Sequence, residues 1–243
     1  MYIISPGHHP EADKFWKEKL SCKPNGARTL GAAITKNLSK TFEPCYDMLI
    51  TYASNFPFEI PEDVKKIAVI HHENFPWVNG FRAWQKVNNK LKDYEVDYFV
   101  NEQKILGLIK DVYPRVFYLP RFVDTEELPK IETVKDIDTL WFGNAWGAFQ
   151  TEFSSYKGLM KKPYWITHGE FGLGDEKIKD IDREETLKTV ARAKTVWAIG
   201  VSQLEAQYYG CQIFSYRGPV LPFYNQNTIK SYLSKLLREI NSK

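Results

Sequence analysis

The residues of this chain best suited to chemistry sit just past short apolar runs. The stretch "SQLEAQYYG" (202–210) follows the run "TVWAIGV" (195–201) and sets Glu205 three residues after Ser202. Two roles are open to that carboxylate. Ser202 and Glu205 match a capping box, in which the two side chains satisfy each other's orphan amides at a helix start. Alternatively, Glu205 stands at the mouth of a sheet, where open α/β domains bind nucleotides. His71 and His72 close the run "KKIAVIHH" (65–72). An imidazole there can act as general base or bond a substrate hydroxyl, since it titrates near neutrality; a polar loop histidine is the plainer alternative. Gly143 and Gly147 flank a short loop after "DTLWFG" (138–143), through which backbone amides can approach a phosphate. Lys157, in "YKGLMKKP" (156–163), offers positive charge to a diphosphate or belongs to a solvated charge run. The segment "HGEFGLGDEK" (168–177) has the wrong glycine spacing for a dinucleotide fingerprint and reads as a flexible loop.

These residues depend on a regular alternation of elements. Apolar runs of strand type occur at 1–5, 46–52, 65–72, 96–101, 115–120, 138–144, 163–170, 195–200 and 211–216. They are short and rich in β-branched and aromatic residues, the pattern of strands buried on both faces. Helical patterns fill the intervals at 27–39, 80–92, 102–111, 183–193, 202–209 and 226–240. The alternation predicts an α/β fold with parallel sheets. A polar stretch with two prolines, "PRFVDTEELPKIETVKDID" (120–138), has the composition of a linker. The expected organisation is therefore two Rossmann-like halves, 1–128 and 135–222, followed by a C-terminal helical segment, 226–243. In that helix Ile229, Leu233, Leu236, Leu237 and Ile240 form an apolar stripe that must pack on something.

Composition narrows the function classes. At 243 residues, 43% hydrophobic and 26% charged, the chain is of globular type, and no apolar run approaches the roughly 20 residues of a membrane-spanning helix. A net charge of +3 is too small to announce nucleic acid by itself. Cys22, Cys45 and Cys211 fit no metal-ligand spacing, and no metal set is expected. Sparse cysteines, and an N-terminal "MYIISPGHHPEAD" without the features of a signal peptide, lead to the expectation of a cytoplasmic protein, monomeric or homodimeric.

The order of the segments resembles the group-1 (family 4) glycosyltransferases of GT-B fold, in shortened form. The resemblance is most specific in "EETLKTVARAKTVWAIGVSQLEAQYYGCQIFSYRG" (184–218). There Glu205, Ala206 and Gly210 fall on the family's "EAxxxG", and Gly200 falls on the glycine of its "EGFG". The stretch "VDYFVNEQKILGLIKDVYPRVFYLPRFVDTEEL" (96–128) is similar in type to the family's linker region. The resemblance implies two Rossmann-like domains facing a central cleft. It also implies transfer of a hexose from a nucleotide diphosphate sugar, a UDP-sugar first, to a hydroxyl acceptor, with the anomeric configuration retained. The nucleotide sugar is a co-substrate, and no further cofactor is implied. Glu205 would bond the ribose hydroxyls, with Gly200, Ser202, Gly143, Asn144, Gly147 and Lys157 on the donor and His71 or His72 near the acceptor. That acceptor is a glycan or a hydroxymethylated base in DNA. Two departures stand out: Trp197 occupies the place of the family's earlier glutamate, and Asn144 that of its diphosphate-binding arginine. They motivate the alternative of a non-catalytic nucleotide-sugar or nucleic-acid binding module on the same scaffold.

Overall fold

The computed structural model describes residues 1–4, 37–51, 59–71, 88–110, 113, 115–142, 155–159, 163–167, 176–179, 183–216 and 218–242. Within these, every expected strand run carries a strand: β1 (Tyr2–Ile4), β2 (Met48–Thr51), β3 (Lys66–His71), β4 (Glu95–Val100), β5 (Val116–Tyr118), β6 (Ile137–Phe142), β7 (Pro163–Thr167), β9 (Ala193–Ala198) and β10 (Gln212–Phe214). All pairings between the named strands are parallel. Burial explains the sequence signal. All four residues of β2 and the run Ile67–Ile70 of β3 are buried, as strands covered on both faces must be.

One strand departs from expectation. β8 (Glu176–Lys179) lies partly in the segment read as a flexible loop. Its sequence, Glu-Lys-Ile-Lys, has a single apolar residue, and it pairs only with β7 at the end of its sheet. Charged residues on an edge strand discourage sheet-to-sheet association, so such a strand has no hydrophobic pattern to betray it.

The chain divides into two compact units, Met1–Arg121 with Gln226–Lys243, and Phe122–Asn225. In the first, the sheet order is β1-β2-β3-β4-β5. One face buries Met48, Ile50, Ile67, Val69, Leu91 and Tyr98 together. In the sheet, Phe99 lies edge-on to Phe42 at 5.0 Å and to Tyr46 at 6.3 Å. The helix Gln226–Asn241 belongs to this unit and buries Ile229, Leu233, Leu237 and Ile240. Polar contacts fix it there: Tyr232 Oη donates to the Tyr118 carbonyl at 2.8 Å, and Asn241 Nδ2 lies 3.0 Å from Cys45 Sγ. Asp97, on β4, is fully buried and ionic. It accepts from Tyr46 Oη at 2.6 Å, from Arg115 Nη2 at 2.9 Å and from Arg115 Nε.

In the second unit the order is β10-β9-β6-β7-β8. Its core joins Leu140, Val190, Val196, Ala198 and Ala206, so the helices Arg183–Arg192 and Val201–Tyr208 contribute to the sheet's core. The first part of the polar segment expected as a linker is packed, whereas 132–134 is exposed. Phe122, Val123, Asp124 and Leu128 are buried, and Val123 bridges Asn225. Lys135 Nζ donates to the Tyr209 carbonyl at 2.9 Å, and Tyr209 Oη donates to the Pro129 carbonyl at 3.0 Å. These contacts replace water for groups that composition alone assigns to solvent.

Candidate functional site

The second unit's sheet reverses direction at its middle. From β6 the chain proceeds outward through β7 and β8; it then returns to β9, on the other side of β6, and proceeds to β10. This is the 3-2-1-4-5 order of a doubly wound sheet, with the switch between β6 and β9. Right-handed crossovers place successive connections on opposite faces at such a point, so the carboxyl ends of the two strands open a crevice. Phe142 and Ala198 are the register partners at this end. The sheet of the first unit advances in one direction among the described residues and marks no such point.

Beyond Ala198 the backbone turns at Gly200, with φ 60° and ψ −136°, and this residue caps the helix Val201–Tyr208. An L side chain avoids that conformation, whereas glycine adopts it freely. The turn lets a strand feed a helix after only two residues and sets the helix N-terminus at the sheet's carboxyl edge, where Gln203 N–H donates to the Gly200 carbonyl at 3.1 Å. Among the described residues no side chain caps this helix. Replacing Gly200 by alanine is expected to destabilise the fold by about 1–3 kcal/mol, the usual range for a forced backbone conformation. Chemical denaturation followed by circular dichroism will measure it.

The turn also corrects the capping-box reading. Because Gly200 is the cap, Ser202 occupies the second helical position and Gln203 the third. The Ser202–Glu205 pair is thus two residues out of register for a box. Gln203 turns inward instead: its Nε2 donates to the Ala198 carbonyl at 3.0 Å and to Ser215 Oγ at 2.9 Å, and its Oε1 accepts from Leu221 N–H at 2.7 Å. This buried amide ties β9, the helix and the strand exit of β10 into one frame, a role that its sequence position does not announce. Glu205 lies in the middle of that helix and is only 5% exposed. It is therefore not part of a solvated helix face.

Opposite the Leu140–Val196–Ala198 side, the sheet carries aromatic rings. Trp141 and Trp197 are register partners and stack at 6.3 Å; Tyr216 stacks on Trp141 at 4.1 Å and Phe214 on Trp197 at 3.9 Å. Trp197 is thus a core ring in the middle of the sheet. It is 4% exposed, a position suited to an apolar ring.

Comparison with known proteins adds a remote likeness. No family model and no curated protein matches the chain. Among solved structures, it is similar to an alpha-glucosyltransferase in complex with UDP-glucose and DNA containing an abasic site, at 12% identity and a TM-score of 0.39 over 81% of this chain and 82% of that one.

Of the residues expected to bind the donor, Gly200 starts the helix that follows β9, and Ser202 and Glu205 lie within it. Gly143, Asn144 and Gly147 lie outside the described residues, although position 143 directly follows Phe142 at the end of β6. Lys157 begins a short 3-10 turn, and its side chain lies outside the description. His71 ends β3, paired with Val100 in the first unit; its side chain and all of His72 lie outside as well. No group of three or more potential metal ligands occurs among the described residues, nor does a helix long and apolar enough to cross a membrane.

The sequence reading overlooked Asn101. It follows β4 directly, is 8% exposed, and its Nδ2 has no hydrogen-bond partner among the described residues. Leaving a buried amide unpaired costs on the order of 1–3 kcal/mol. Its signal was a polar residue closing the apolar run "VDYFVN" (96–101) at a carboxyl strand end. The near-isosteric Asn101→Leu variant is expected to be more stable than wild type by roughly that amount, read as a raised midpoint in thermal unfolding. A lowered midpoint would mean that the amide is satisfied in the folded chain.

Proposed function

We propose that the chain is a glycosyltransferase on a GT-B-like scaffold that transfers a hexose from a nucleotide diphosphate sugar, a UDP-sugar first, to a hydroxyl acceptor. The observation that carries this reading is the switch point between β6 and β9, where a glycine turn and an uncapped helix start adjoin the buried Glu205. Doubly wound sheets bind ligands at such a point, and a helix N-terminus there favours phosphate. In this reading the helix amides and the 143–147 loop with Lys157 stabilise the leaving diphosphate, and Glu205 holds the ribose. Transfer of this kind relies mainly on positioning and charge stabilisation. His71 or His72 orients or deprotonates the acceptor hydroxyl.

The acceptor is a glycan or a hydroxymethylated base in DNA. Salt separates the two, because phosphate contacts release counterions: binding of modified duplex should weaken steeply between 50 and 200 mM salt, whereas a neutral glycan should not respond. The second reading, a binding module without turnover, is favoured by Trp197, whose buried ring stands where a donor-sugar carboxylate was expected. The test is a thermal-shift screen with UDP, GDP, ADP and their glucose conjugates, followed by an assay for nucleotide release with both acceptor classes. A shift with release establishes the transferase. A shift without release establishes the nucleotide-sugar module, and no shift with any nucleotide refutes the transferase and leaves the module in its nucleic-acid-binding form.

A further inference from the structure

The structure assigns to Asn101 the holding of a neutral oxygen of the acceptor at the carboxyl rim of the first unit's sheet; the inference takes its ligand from the transferase reading. Buried polar side chains are almost always hydrogen-bonded, and an orphan calls for a reason. Asn101 is 8% exposed, and its Nδ2 has no hydrogen-bond partner among the described residues. The residues around it in the chain and across the rim, Val100 and Leu119, are apolar and buried. An apolar side chain would therefore suit the free protein better at this position. The orphan amide destabilises the free protein, and binding of an oxygen that accepts from it removes that penalty. The residue keeps a small exposed edge, by which such an oxygen reaches the amide after a turn of the side chain.

Position agrees with a ligand. Open parallel sheets take ligands at the carboxyl ends of their strands. The ladder of β4 closes at Val100, which is level with the last residue of β3 and with Tyr118 of β5. Asn101 comes next, at the rim, with a strand on either side of its own. The described part of this sheet has no switch point, so the orphan donor rather than the strand order marks the place. Neighbouring charge selects the kind of oxygen. Glu102 pairs with Arg121 Nη2 at 3.0 Å, and both side chains are largely buried. This pair neutralises the cation that would draw a phosphate or carboxylate to the rim, and an uncharged amide donor suits a neutral oxygen. A hydroxyl that reacts must keep its lone pair for the new bond. The oxygen held by Asn101 is therefore a neighbour of the reacting one, and Asn101 is a positioning residue.

The test titrates the isotope-labelled full chain with methyl glucoside and with hydroxymethyl-deoxycytidine, followed by nuclear magnetic resonance, in wild type, Asn101→Leu and Asn101→Ala. UDP affinity is measured beside them. The side-chain amide signal of Asn101, identified by its absence from both variants, should move as one probe binds, and that probe names the acceptor class. Both variants should bind it about 5- to 150-fold more weakly, while UDP affinity stays within twofold of wild type. The leucine variant is expected to be the more stable protein, so unfolding cannot account for its weaker binding. Probe affinities within twofold of wild type in both variants would overturn the inference, as would a wild type that binds neither probe. A less stable leucine variant would show that the amide is satisfied in the folded chain and would overturn it too. Equal weakening of UDP would do the same, because the effect would then lie in the fold. A wild type whose Asn101 signal answers a probe while UDP fails to bind would remove the transferase reading and leave the oxygen site standing.

Discussion

Replacing Arg115 by alanine, which leaves the buried Asp97 carboxylate without its partner, is expected to destabilise the first unit by about 3–5 kcal/mol, the range for an uncompensated buried charge, and Asp97→Ala should also be costly. The carboxylate is fully buried in β4 and is held by Arg115 through two nitrogens and by Tyr46 Oη at 2.6 Å. Its removal takes an acceptor from two donors, of which only the Tyr46 hydroxyl is buried. The Tyr46 hydroxyl is buried, and burial followed by its bond to Asp97 pushes its pKa far above the ordinary tyrosine value. It thus remains a neutral donor that must find a new acceptor. Arg115 is 40% exposed and can turn toward water or to Glu95, which lies 3.4 Å away. Its mutation to alanine strands the buried carboxylate instead. Tyr46→Phe removes a single neutral donor and should cost about 1 kcal/mol. Urea denaturation of the three variants should therefore rank Asp97→Ala and Arg115→Ala well above Tyr46→Phe. Equal, small losses would show that the network contributes little.

Glu205→Ala is expected to weaken UDP binding about 10- to 150-fold, the loss of charged hydrogen bonds of roughly 1.5–3 kcal/mol. The carboxylate is only 5% exposed, in a helix that begins at the switch point of the sheet, so its removal also perturbs packing. A ribose role can be separated from a structural one. With 2′-deoxy-UDP, wild type should already bind more weakly, and the mutation should then cost markedly less. That non-additivity marks a direct interaction. If the mutation costs the same with both ligands, Glu205 supports the helix rather than the ribose. Glu205→Gln, which preserves volume, should hold the melting temperature closer to wild type than alanine does and so expose any loss due to charge alone.

The strand series shows how far hydrophobic pattern reaches. Within the runs "YDMLITY" and "KKIAVIHH", Met48–Thr51 and Ile67–Ile70 are buried, so burial leaves a contiguous apolar signature, and the structure places β2 and β3 there. Edge strand β8 carries two lysines and a glutamate and leaves no such signature. The Ser202–Glu205 pair failed as a cap for a different reason. A glycine at φ 60° started the helix two residues early, and a dipeptide pattern does not record backbone sign. Gln203 and Asn101 stayed hidden because a buried amide looks the same in sequence as a solvated one.

By itself, the sequence determined the alternation of parallel strands and helices, and with it the class of fold, because local burial and helical periodicity are written residue by residue. Its motif also singled out Gly200 and Glu205. Only the tertiary structure decided the strand order. Register and neighbour choice arise from contacts between segments far apart in the chain, such as β6 with β9, whose separation no local pattern encodes. That order is what turns nine apolar runs and an edge strand into a sheet with a switch point, and it places Glu205 in the helix leaving that point.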